Sequence, residues 1–226
     1  MEPPALSPAD VRVLGALVEK SIATPDYYPL SLNALTNACN QLTNRDPVMS
    51  LEEADVTRAI DRLREQRLAT RYHGAESRVE RYKHTLTDAI LLTPAEVALL
   101  CVLMLRGPQT IGELRTRTER LFKFDTLPEV DEALNALATR APVPLVVKLA
   151  RQPGTKESRY THLLSGPADL PAVAGSAAPE TPAPQKEVAT LAADTRTAQL
   201  ETEIAALRRE VAELKEQFAQ FKRQFE

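Results

Sequence analysis

Leu6-Ser-Pro-Ala-Asp-Val11 and Leu92-Thr-Pro-Ala-Glu-Val97 are two copies of one helix start, and their recurrence decides how the rest of the chain is read. Ser7 and Thr93 can accept a hydrogen bond from the first helical turn. Pro8 and Pro94 suit the first helical position, where the missing N–H would have no partner anyway. Asp10 and Glu96 stand three residues after the cap, which completes a capping-box pattern in the second copy. Helices are expected from Pro8 to about Ser21 and from Pro94 to about Arg106.

Working outward, the copies continue in the same order. Pro29-Leu-Ser-Leu-Asn-Ala-Leu35 is echoed by Pro108-Gln-Thr-Ile-Gly-Glu-Leu114, a second, shorter helix capped by Ser31 or Thr110. A third helix is expected over Leu51–Gln66, capped by Ser50 with Glu53 behind it, and over about Pro128–Thr139 in the second copy. Val56, Ala59, Ile60 and Leu63 share one face of the first, and Val130, Ala133, Leu134 and Leu137 one face of the second. Each copy ends in two extended runs around a polar tip: Leu68–Tyr72 with Val79–Leu86, and Leu145–Ala150 with Ser158–Leu164. Three helices followed by a β-hairpin is the order of a winged helix, a helix-turn-helix variant. The expected fold class is mainly α with small β-hairpins: tandem winged-helix domains at 1–90 and 91–166.

Beyond them, residues 167–187 form a Pro- and Ala-rich stretch that reads as a disordered linker. In the segment 188–226, Leu200, Ile204, Leu207, Val211, Leu214, Phe218, Phe221 and Phe225 recur at alternating steps of four and three. That is heptad spacing and predicts a C-terminal coiled coil. Ile204, Val211, Phe218 and Phe225 fall at a positions, with β-branched residues at a and Leu at d in the first two heptads. This favours a parallel homodimer; an amphipathic helix folded back on the body is the competing reading.

The stretches Leu17-Val-Glu-Lys20, Tyr28-Pro-Leu-Ser31, Ala38-Cys-Asn-Gln41 and Asn44-Arg-Asp-Pro-Val-Met49 resemble the YceH-like family of uncharacterised bacterial proteins. Gly112-Glu-Leu-Arg115, Leu149-Ala-Arg151 and Glu157-Ser-Arg-Tyr160 extend the resemblance, which covers roughly residues 6–166. It implies a tandem winged-helix fold and commonly a C-terminal coiled coil, but no biochemical activity.

Composition narrows the function classes. The 226 residues carry a net charge of −3, so no global positive field draws the chain to nucleic acid. The distribution is uneven: residues 1–90 carry −2, residues 91–166 carry +2 and the remainder −3. The longest apolar run, Val97–Leu105, is too short to cross a bilayer, and residues 1–8 have no leader pattern, so a cytoplasmic chain without membrane contact is expected. Cys39 and Cys101 are expected to be reduced and buried. His73, His84 and His162 lie in or beside the hairpins; Tyr82 with His84, and Tyr160 with His162, read as packed aromatic pairs. No zinc-like spacing or phosphate-cradling glycine loop is present, so no catalytic residue, metal or cofactor is assigned.

Two binding functions remain. For DNA, the third helices would enter grooves, yet Glu52, Glu53 and Asp55 crowd the start of the first and Glu129, Asp131 and Glu132 the start of the second. Arg58 and Arg62 share the outer face of the first with Asp61 and Glu65. The hairpins offer Arg71, Arg78, Arg81 and Lys83 against Glu76 and Glu80, then Lys148, Arg151, Lys156 and Arg159 against Glu157 alone. Arg115, Arg117, Arg120 and Lys123 of the second domain's middle helix can join these in a surface that contacts phosphates. Asn33, Asn37, Asn40, Gln41, Asn44 and Arg45 have groups able to read bases, or to cap helix ends and satisfy the turn before Pro47. The alternative is a scaffold that presents winged-helix faces to an unidentified protein partner.

Overall fold

The computed structural model describes residues 5–72, 79–151 and 157–166. All belong to one compact unit spanning residues 1–176. The expected linker at 167–187 and the heptads Leu200–Phe225 lie outside the described residues, as do His73, Arg78 and Lys156.

The described chain is mainly helical, with two small antiparallel sheets. The first copy runs α1 (Pro8–Ala23), a 3-10 turn (Pro25–Tyr27), β1 (Leu30–Ser31), α2 (Leu32–Cys39), α3 (Glu53–Glu65), β2 (Ala69–Tyr72) and β3 (Arg81–His84). A single turn, α4 (Leu86–Ala89), leads to α5 (Pro94–Arg106), α6 (Ile111–Thr118), α7 (Leu127–Ala138), β4 (Val146–Lys148) and β5 (Tyr160–His162).

The caps act as their chemistry dictates. Ser7 Oγ accepts from Asp10 N at 3.3 Å while Ser7 N donates to Asp10 Oδ2 at 3.0 Å, so the reciprocal box closes in the first copy too. Thr93 and Glu96 repeat it, and Ser31 and Thr110 cap α2 and α6. The third helix departs from expectation, starting at Glu53 behind Glu52, not at Leu51 behind Ser50. The Asn40 side-chain amide pairs with both backbone groups of Leu51, each at 2.8 Å, and holds that residue out of the helix.

Each sheet is extended by a segment from before its middle helix, a strand in the first and a single bridge in the second. In the first, β3 is central: Leu30 pairs with Tyr82, and Arg71 with Tyr82 from the other side. In the second, Gln109 takes the place of Leu30 and exchanges both backbone bonds with Tyr160, at 3.0 and 2.7 Å. This third, edge-forming segment is too short to leave an alternating pattern in the sequence.

The copies share one core. Asp10–Val18 of α1 and Glu96–Leu105 of α5 are each buried as unbroken runs, because both helices are covered on every side. They pack against each other at Gly15, where a Cβ would lie 2.9 Å from Leu105 Cδ2 and 3.1 Å from Met104 Cβ. The turn after α2 completes the junction: Asp46 N donates to Leu105 O at 2.9 Å and Arg106 to Asn44 Oδ1. The described parts of residues 5–90 and 91–166 are therefore two copies of one pattern around a continuous core. Cys39 and Cys101 sit within it as free thiols, and burial pushes the Cys39 thiol up to about 12.

Candidate functional site

The expected cationic surface divides into residues the fold engages internally and residues it leaves exposed. Arg45 belongs to the first group. Its side chain is fully buried, with Nη1 and Nη2 on the Glu19 carboxylate at 3.2 and 2.6 Å, and further bonds go to Ala38 O, Asn44 O and the Gln41 side chain. A guanidinium satisfied in this way cannot reach a phosphate or base, so its inclusion among nucleic-acid contacts is corrected. With Asn40 on Leu51 and Asn44 on Arg106, the amide-rich turn is a clamp between the two copies. Of these amides only Asn33 and Asn37 are exposed, both on α2 and bonded to each other at 3.2 Å.

The cations of the first copy are mostly held by carboxylates. Arg62 clasps Asp10, with Nη2 2.7 Å from Oδ1, and this hydrogen bonding raises the Arg62 pKa. Asp10, itself buried, thus serves both the α1 cap and the α1–α3 contact. Arg58 pairs with Asp55, Arg64 with Asp61 at 3.0 Å, and Arg71 with Asp61 and Glu80 at 3.5 and 3.6 Å. Arg81 Nη1 donates to Pro29 O at 2.9 Å, fastening β3 to the segment before β1. Lys83 is half-buried.

In the second copy, Arg115 donates to Phe124 O and Asp125 O, and Arg117 pairs with Glu113 at 3.3 Å. Arg120 and Lys123 are exposed. Lys148, Arg151 and Arg159 are exposed on the second hairpin, and among the described residues none has a carboxylate within ion-pair distance. Lys148 lies over the Tyr160 ring, 5.5 Å from its centroid, while Tyr160 OH donates to Asp131. From Leu145 to Gly166 the sequence contains one carboxylate, Glu157. Exposed, unpaired cations and a scarcity of carboxylates therefore coincide at this hairpin.

His84 is placed against partners on other elements instead of Tyr82. It stacks obliquely on Tyr28 at 6.1 Å, and its Nε2 meets Ser21 Oγ at 3.0 Å; Tyr160 pairs with Lys148. Alternate strand residues share a face, but partners on other elements decide which rings touch. Burial lowers the His84 pKa, with Asp88 opposing it.

Fold and surface define a mainly helical, two-copy protein with exposed cations that lack a carboxylate partner among the described residues on its second hairpin and just beyond α6. The chain belongs to the DUF480 family, described as proteins of unknown function, whose model matches residues 6–155. A UPF0502 protein of Opitutus terrae is 52% identical over 197 residues, covering 87% of this chain and 84% of the relative. A UPF0502 protein of Geobacter sulfurreducens is 55% identical over 176 residues, or 77% and 79% of the two chains. This agrees with the family resemblance carried by the motifs. No helix among the described residues is long and apolar enough to cross a membrane.

Proposed function

We propose that the chain is a non-enzymatic nucleic-acid-binding protein made of two winged helices in tandem, contacting the phosphate backbone mainly through its second hairpin. Two features support the winged-helix reading: the order of three helices and a hairpin occurs twice, and each hairpin gains an extra edge from before the middle helix. A role connected with transcription rests only on analogy to the use of this fold.

The observation that carries the proposal is the contrast in charge pairing. Arg58, Arg62, Arg64 and Arg71 have carboxylate partners, whereas exposed Lys148, Arg151 and Arg159 of the hairpin, with exposed Arg120 and Lys123 just beyond α6, have none among the described residues. Cations already paired release little on meeting phosphate, while unpaired ones displace counterions from the duplex. The expected contact is with backbone, with little base readout, because α7 opens with Glu129, Asp131 and Glu132 and carries no cation from Leu127 to Ala138.

That acidic helix favours a second reading, a scaffold whose α7 face receives a protein. Fluorescence anisotropy with duplex DNA at several salt concentrations separates the two. Reversing Lys148, Arg151 and Arg159 to Glu should weaken binding at least tenfold, and each phosphate that the variant no longer neutralises should take about 0.9 from the slope of log K against log salt. Arg58→Glu should leave affinity nearly unchanged. Absence of duplex binding by the wild-type chain at low salt would sink the nucleic-acid reading; equal loss on Arg58→Glu would move the interface to α3.

A further inference from the structure

A groove of about 360 Å³ opens where the two copies meet. Val11 and Arg12 come from α1, Pro47 and Met49 from the clamp turn, and Leu103 and Met104 from the end of α5. Its volume falls in the range of small-molecule sites, and α1, the clamp turn, the end of α5 and the segment from β5 to Gly166 all shape it. None of its walls includes Lys148, Arg151 or Arg159, so a ligand held here is independent of the nucleic-acid reading.

The groove is mostly apolar, which makes its one guanidinium conspicuous. Arg12 is 2% exposed. Its Nη1 donates to Cys39 O at 3.1 Å and its Nη2 to Pro47 O at 2.6 Å, but Nε has no partner. Two carbonyls supply dipoles and no counter-charge. Arg45, by contrast, is buried with a carboxylate gripping both Nη groups. Asp46 also lines the groove but is exposed and makes no ion pair with Arg12. Burial lowers the Arg12 pKa and nearby Arg45 lowers it further, with Cys39 and Asp46 opposing. His162 also lines the groove.

We propose that this groove is a binding site for a small amphipathic carboxylate, its acid group drawn to Arg12 and its apolar body lying between Val11, Met49, Leu103 and Met104. A monoanion fits better than a phosphate dianion, because a single buried cation in apolar walls cannot offset the desolvation of two charges. A long peptide fits less well than a compact molecule, since the site is a pocket at a junction and not an open sheet edge or helix groove.

The chain itself supplies the reporters. It has three methionines, Met1, Met49 and Met104, and the last two line the groove. Full-length protein carrying ¹³C-methyl methionine is titrated with octanoate and, separately, with the uncharged octanamide, and the methyl shifts are followed by NMR. Saturable shifts at Met49 and Met104 with Met1 unmoved are expected, and octanamide should need at least about tenfold more to half-saturate. Arg12→Met should abolish that preference for the acid. Because Arg12 also ties α1 to the clamp turn, Ser165→Phe provides an independent variant: Ser165 lines the groove and is only partly buried, and the added ring should fill the site and suppress both titrations. Non-saturable or indiscriminate shifts, an equal response to octanamide, or an undiminished response in Ser165→Phe would overturn the assignment.

Discussion

Arg45 shows why residue type alone misplaces a function. In sequence it is an arginine in a polar, amide-rich turn, the usual surroundings of a surface cation. In the fold its charge is compensated by Glu19, which is 26 residues away on α1, a separation no periodicity encodes. Removing one partner of a buried pair strands the other, so Glu19→Gln should cost about 3 kcal/mol, read from the urea midpoint at constant m-value. Asp61→Asn provides the contrast. Asp61 is half exposed and pairs with Arg64 and Arg71 at the surface, where such contacts contribute about 0–1 kcal/mol each. Equal costs for the two substitutions would mean that the Glu19–Arg45 pair is not the junction's electrostatic anchor.

Among the elements, helices announced by local chemistry are legible in the sequence and contacts between copies are not. Ser7, Thr93, Ser31 and Thr110 cap the helices their positions imply, because capping is settled within four residues. The start of α3 is not legible, because Asn40, eleven residues upstream of Leu51, overrides the local signal. The all-round burial of α5 does have a trace in the sequence: Val97–Leu105 is apolar without a polar face, which in a globular helix means neighbours on both sides. The exposed cations of the second hairpin are equally legible, since Leu145–Gly166 holds a single carboxylate to pair with them. Gly15 is not, because its close approach to Met104 and Leu105 depends on how two distant helices cross. Gly15→Ala should destabilise by about 1–3 kcal/mol despite the better helix propensity of alanine, as the crossing must open to admit a methyl group. Gly112→Ala in α6 meets nothing within 4 Å and should be neutral or stabilising by up to about 1 kcal/mol. Equal and small effects in chemical denaturation would show that α1 and α5 tolerate separation.

For the whole molecule, the question is how many independent bodies the chain contains. The repeat by itself suggests two domains that can move separately, but α1, α5 and the clamp turn bury their contact in one core. A cooperative unit is defined by such shared burial, so both copies should unfold together. From the sequence alone, the heptad spacing of Leu200, Ile204, Leu207, Val211 and Leu214 predicts a separate association step: a parallel pairing would set Glu203 against Arg208 and Glu210 against Lys215 of a second copy, whereas an antiparallel one would set g against g and bring these acids closer. Comparing the full chain with a truncation after Gly166 tests both statements. The truncated protein should sediment as a monomer and unfold in urea in a single transition by far-UV circular dichroism and by tyrosine fluorescence, with Tyr82 and Tyr160 reporting on the two sheets. The full chain should sediment as a dimer. Two separated transitions would make the copies autonomous despite the Gly15 crossing, and a truncated form that still dimerises would transfer self-association from the heptads to the helical body.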